Sequence, residues 1–148
     1  MNTKDFTTTI LVDQTPAQVF NAINNTRDWW SGEISGGTNK LNDEFTYRYK
    51  DFHLSKQKIV EMIADQKVVW LVTESSINYA EDKNEWAGTK MIFDITKQGD
   101  KTQLRFTHMG LVPAIECFDS CSNSWSQLIQ DALFNLIVTG KSKKLVLA

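Results

Sequence analysis

The chain has 148 residues, of which 41% are hydrophobic, 11% aromatic and 23% charged, with a net charge of -2. That length suits one domain over residues 1–148 whose core needs no disulfide, and the composition excludes a disordered chain and a membrane span. The near-neutral balance supplies no basic field to gather phosphates, which excludes general nucleic-acid binding.

The opening residues MNTKDFTTTILVD lack the apolar run of a signal peptide, so a cytoplasmic location is expected. Within them Phe6, Thr8, Ile10 and Val12 alternate with Thr7, Thr9, Leu11 and Asp13, the period-two signature of a strand. Thr15 and Pro16 then supply an N-cap and a first helical residue, and Val19, Phe20 and Ile23 recur at helical spacing toward Asn25. Trp29 and Trp30 follow the helix. Adjacent rings are expected to point in different directions, one at a cavity mouth and one in the core. The segment SGEISGGTNKLND is rich in Gly, Ser and Asn and predicts a loop with at most a short strand.

EFTYRYK puts Phe45, Tyr47 and Tyr49 on one strand face. KQKIVEMIA and KVVWLVTE form a predicted hairpin about Asp65 and Gln66. His53, in KDFHLSK, sits near a strand boundary and reads as an exposed or turn residue. The polar stretch SSINYAEDKNE has the length of a functional loop or rim. WAGTKMIFDITK and KTQLRFTHM pair around Gly99-Asp100, and Leu104, Phe106 and His108 share one face. About six strands result.

Beyond Gly110 and Pro113 the period becomes helical: Phe118, Cys121, Trp125, Leu128, Ile129, Ala132, Leu133, Leu136 and Ile137 are spaced by threes and fours. With Gly140 as the C′ residue, one helix over about 117–139 reaches roughly 34 Å. The tail KSKKLVLA is expected to fray. The element order implies an α+β fold: a curved antiparallel sheet of about six strands wrapped around a long C-terminal helix, with a short helix after the first strand.

Three stretches together resemble a known family. TPAQVFNAI with Trp29 and Trp30, EWAGTKMIFDI, and FTHMGLVPAIECFDSCSNSW leading to a helix that ends at TGK are similar to START-like helix-grip proteins. Within that superfamily they resemble the bacterial-type group related to the activator of the heat-shock-protein-90 ATPase. The resemblance covers nearly the whole chain. It implies a sheet gripping the long helix around a cavity for a hydrophobic small molecule, and a chaperone partner as a further reading.

The chemical candidates are few. Cys117 and Cys121 lie one helical turn apart, about 5–6 Å between Cβ atoms, too wide for an unstrained disulfide. Two cysteines and His108 fall short of a zinc ligand set, so no metal is expected. No Ser-His-Asp order, phosphate-binding glycine loop or HExxH motif appears. Glu33, Glu44, Glu61 and Glu74 are spread over the chain and read as solvated.

The aromatic content instead predicts a cavity for a small hydrophobic or aromatic ligand, bound without a cofactor. Its candidate lining is Trp30, Tyr47, Tyr49, Trp70, Phe93, Phe106, His108, Cys121, Trp125 and Ile129. Catalysis through His108 as acid or base, in the manner of cyclase-like or hydrolase-like members, is the alternative. Monomer and homodimer both remain open.

Overall fold

Alternation of β-branched and aromatic residues builds a single antiparallel sheet. Its strands are β1 (Phe6–Val12), β2 (Glu33–Gly36), β3 (Glu44–Tyr49), β4 (His53–Ile63), β5 (Lys67–Ile77), β6 (Lys90–Gln98) and β7 (Lys101–Met109). They lie in the order β1-β7-β6-β5-β4-β3-β2, so every neighbouring pair except β1-β7 is consecutive in sequence. The computed structural model describes residues 5–30, 32–49, 53–77, 87–111 and 118–141, with the backbone alone for 49, 53, 76, 77 and 118–120.

The described residues form seven strands where about six were expected. The addition is β2, the short strand allowed for within the segment read as mainly loop; EISG is too short to show a period, and its pairing is supplied by β3, with Ile34 opposite Tyr47. β4 and β5 are also longer than the apolar runs suggested, 11 residues each. Two register shifts explain why, one between Lys56 and Gln57 and one between Ile59 and Glu61. Each bulge breaks the alternation while keeping the ladder going, and each bends the hairpin.

Helix α1 (Pro16–Asn24) begins with a full capping box. Thr15 Oγ1 accepts from Gln18 N at 3.2 Å, and Gln18 Oε1 accepts from Thr15 N at 2.9 Å. Pro16 occupies a first-turn position where its missing N–H costs nothing. The helix buries Val19, Ala22 and Ile23. Its neighbours are β6 and the end of the C-terminal helix.

The C-terminal helix is continuous from Phe118 to Thr139 but is not α throughout. α2 (Phe118–Gln127) passes into a π-helical segment (Leu128–Leu133) and then α3 (Phe134–Thr139). The buried positions Cys121, Trp125, Ile129, Leu133 and Ile137 recur every fourth residue. In a pure α-helix each such step drifts by about 40°, and four steps would carry the stripe roughly 160° around the axis. The wider π turns absorb much of that drift and keep the stripe on the sheet. Gly140, at φ 74°, closes the helix in the left-handed conformation that glycine adopts without strain, with its N–H donated to Leu136 O at 2.8 Å.

Candidate functional site

The inner face of the sheet is laid out in cross-strand rows. Tyr47, Ser55 and Ser75 are paired across β3, β4 and β5; the next row holds Phe45, Gln57 and Val72; the third runs Ile59, Trp70, Met91 and His108. All of these side chains are buried. The bulges set this layout: one extra residue at Thr73 lets both Val72 and Ser75 face inward, and one at Val60 turns Met62 toward the core after Ile59.

One part of this face is a dense ring cluster. Trp30 stacks on Tyr47 with centroids 3.8 Å apart, and on Trp70 at 5.7 Å. Trp70 meets the edges of Phe45 at 5.1 Å and Phe93 at 4.8 Å. Phe93 leads to Phe106 at 5.0 Å, and Phe106 to Trp125 on α2 at 4.5 Å. The edge-on contacts of Trp70 with Phe45 and Phe93 are a preferred aromatic geometry, whereas Trp30 and Tyr47 lie nearly face to face. These contacts tie the sheet to the helix that it grips.

Both tryptophans after α1 belong to this cluster, which corrects the expectation that one would sit at a cavity mouth. Trp29 is fully buried and its Nε1–H donates to Ile23 O at 3.2 Å. The 3-10 turn Thr26–Asp28 makes this possible: Trp29 N and Trp30 N both donate to Thr26 O, so the two rings leave the chain nearly parallel, 15° between planes.

His108 has two ring nitrogens with named partners. Trp125 Nε1 donates to His108 Nδ1 at 3.1 Å, and Nε2 lies 2.8 Å from Thr89 Oγ1. An indole N–H can only donate, so Nδ1 must accept and the ring proton resides on Nε2, directed at Thr89. The imidazole is therefore held neutral and in one tautomer, as a bracket between β7, the start of β6 and helix α2.

Polar satisfaction fails at two points nearby. Trp70 Nε1 and Gln57 Oε1 are buried with no hydrogen-bond partner, although both residues are 0% exposed. Gln57 Nε2 is committed to Ser55 Oγ, which leaves the carbonyl oxygen as the free end of the amide. Each unpaired buried group costs about 1–3 kcal/mol. Gln57 is opposite Val72 and Trp70 is opposite Ile59, so Gln57 and Trp70 are diagonal neighbours, about 7–8 Å apart on one face. Gln14 Oε1 and Asn24 Oδ1, at the two ends of α1, are also unpaired.

Of the candidate lining residues, Trp30, Tyr47, Trp70, Phe93, Phe106, His108, Cys121, Trp125 and Ile129 are all buried, and all but His108 belong to the apolar core cluster. Tyr49 lies on β3 with only its backbone described, as does His53 at the start of β4. Cys121 is a buried thiol; Cys117 and residues 78–85 of the predicted rim lie outside the described residues. Glu33, Glu44 and Glu74 are exposed and Glu61 is half-buried. Among the described residues no three His, Cys, Asp or Glu side chains gather as a metal site, and no helix is long and apolar enough to cross a membrane.

Sequence reasoning missed Ser55, Gln57 and Ser75. The signal for Gln57 was present: in SKQKIV it shares the parity of Ile59, so a strand with Ile59 inward must bury Gln57 as well. The signal for Ser75 was hidden by the bulge at Thr73, which reverses parity along β5.

A curved antiparallel sheet closed on a long C-terminal helix, with polar groups set into an aromatic inner wall, is the helix-grip fold. That is the fold the sequence resemblance implies. No protein-family model and no curated protein matches the chain. Solved structures do. The chain is similar to the Aha1 dimer from Colwellia psychrerythraea, at 20% identity and TM-score 0.74, over 94% of this chain and 99% of that one. It is similar to SSP2350 from Staphylococcus saprophyticus, at 14% identity and TM-score 0.69, over 98% and 100% respectively. CalU16 from Micromonospora echinospora shares the fold at 12% identity and TM-score 0.61, over 90% of this chain and 74% of that one.

Proposed function

We propose that the protein binds a small, largely aromatic or apolar molecule between the inner face of its sheet and its C-terminal helix. The observation that carries this reading is the pair of unpaired, fully buried polar atoms, Trp70 Nε1 and Gln57 Oε1, in a wall otherwise made of packed rings. A wall built for stability alone would favour apolar side chains there, since an unpaired buried group weakens the fold. Ligand sites combine apolar surface with a few polar groups that orient the guest, and this wall has that composition.

The arrangement supports binding over acid-base catalysis by His108. Both ring nitrogens are engaged within the protein, and the neutral tautomer is fixed by Trp125. Its role in this reading is to hold α2 at a set distance from β6 and β7.

Native mass spectrometry of the freshly purified chain tests the proposal. A retained organic molecule is the expected result, released under denaturing conditions and absent from the denatured spectrum of the polypeptide. A bare chain, together with no thermal stabilisation by a broad panel of aromatic and apolar compounds, would sink it.

A further inference from the structure

We infer that Trp70 and Gln57 form a hydroxyl-reading subsite: one hydroxyl group of an aromatic guest accepts from Trp70 Nε1 and donates to Gln57 Oε1. The inference rests on the binding proposed above and names the polar feature of the ligand.

The chemistry follows from what the two groups lack. The indole N–H needs an acceptor and the amide oxygen needs a donor. They are diagonal neighbours on one sheet face, within reach of each other for long side chains, and they are not bonded to each other. A hydroxyl is the smallest organic group that accepts and donates through one atom.

Other polar groups match less well. A ketone or ether satisfies Trp70 and leaves the Gln57 oxygen facing a second acceptor. A carboxylate does the same and adds a buried charge, while the described buried polar residues of this face are Ser55, Gln57, Ser75, Thr102 and a His108 held neutral. The stacked rings around Trp70 provide the flat apolar surroundings that an aryl group prefers. A phenol-type hydroxyl on a fused or single aromatic ring meets all three requirements.

The bulges at Thr73 and Val60 give this pair its setting. They flank the regular stretch of pairing that contains Gln57 opposite Val72 and Ile59 opposite Trp70, and so bend the hairpin on either side of it.

The test is a matched series measured by titration calorimetry on the full chain: 2-naphthol, 2-methoxynaphthalene, 2-acetylnaphthalene and naphthalene. The subsite predicts that 2-naphthol binds about tenfold tighter than the other three, as one to two net hydrogen bonds require. In Gln57→Leu the preference for naphthol over the ether and the ketone should collapse, leaving all three oxygen compounds the bond from Trp70, while affinity for naphthalene is kept or rises.

Equal affinity across the series in the parent protein overturns the subsite and leaves the binding proposal standing, the two polar atoms then holding water only. Binding of the ketone as tightly as the alcohol also overturns it, because that is the pattern of two donors, with the Gln57 amide turned over. A preference for naphthol over the ether and the ketone that survives Gln57→Leu overturns the role of Gln57. Failure of every compound to bind overturns the subsite and removes the support for an aromatic guest. The parent series decides the matter even if Gln57→Leu does not fold.

Discussion

Trp70 and Trp125 offer a direct measurement of the polar defect in the inner wall. They are equally buried, 0% and 1% exposed, and belong to the same ring cluster. Their indole nitrogens differ: that of Trp125 donates to His108, and that of Trp70 has no partner. Replacing either by phenylalanine removes the same ring area, so the apolar loss is common to both and largely cancels in the difference. Trp125→Phe strands His108 Nδ1, at about 1–3 kcal/mol, whereas Trp70→Phe removes an unpaired donor and recovers a penalty of similar size. Trp125→Phe should therefore be the less stable variant by at least about 2 kcal/mol. For a chain of this length that corresponds to about 4–8 °C in the unfolding midpoint. Urea unfolding of both variants beside the parent protein, followed by circular dichroism, gives the comparison, provided the slopes agree. Equal destabilisation, or a larger loss in Trp70→Phe, would refute the assignment of paired and unpaired nitrogens.

The remaining predictions concern the bracket around His108 and the C-terminal helix. Nitrogen NMR of histidine-labelled protein at neutral pH should show His108 with Nδ1 bare and Nε2 protonated; a proton on Nδ1 would contradict the Trp125 bond. Gly110→Ala should destabilise the fold by about 1–3 kcal/mol, since Gly110 adopts φ 103° and an added Cβ would meet Thr89 Cγ2 at 2.6 Å. The His108 resonance should shift with it, because Thr89 holds Nε2; a variant as stable as the parent with an unmoved resonance would count against the bracket. Deleting Gln130, an exposed residue of the π segment, should cost more than Gln130→Ala by at least one buried aliphatic side chain, about 1.5–3 kcal/mol. Equal stability of deletion and substitution in thermal unfolding would show that the π turns do not set the register of Leu136 and Ile137.

Much of the fold could be read from periodicity. Thr15-Pro16 announced α1, the parity of Leu104, Phe106 and His108 matched the buried face of β7, and Gly140 marked the helix end. These signals are local, and tertiary packing reinforced them. The parts that escaped are those where geometry changes the count. A bulge adds one residue and reverses inward and outward positions beyond it, so Ser75 could not be placed from the parity of Trp70. The π segment adds residues per turn, so spacing alone could not separate a drifting α stripe from a straight one. β2 drew its existence from β3 and not from its own four residues.

The candidate site was less legible than the fold for a related reason. A search for large rings selects Trp30, Trp70, Phe93, Phe106 and Trp125, which are the residues any aromatic core would bury; they stack on one another and satisfy themselves. What separates a binding wall from a core is polarity without a partner. On the inner sheet face that property belongs to the pair Trp70 and Gln57, and it depends on which atoms the sheet register brings together. Composition counts rings, and parity places a glutamine inward, but only the register shows that an unpaired donor and an unpaired acceptor stand two residues apart across β4 and β5. The helix-grip fold keeps them so by holding α2 to the sheet through Trp125 and a neutral His108, which fixes the rings beside them without consuming either free atom.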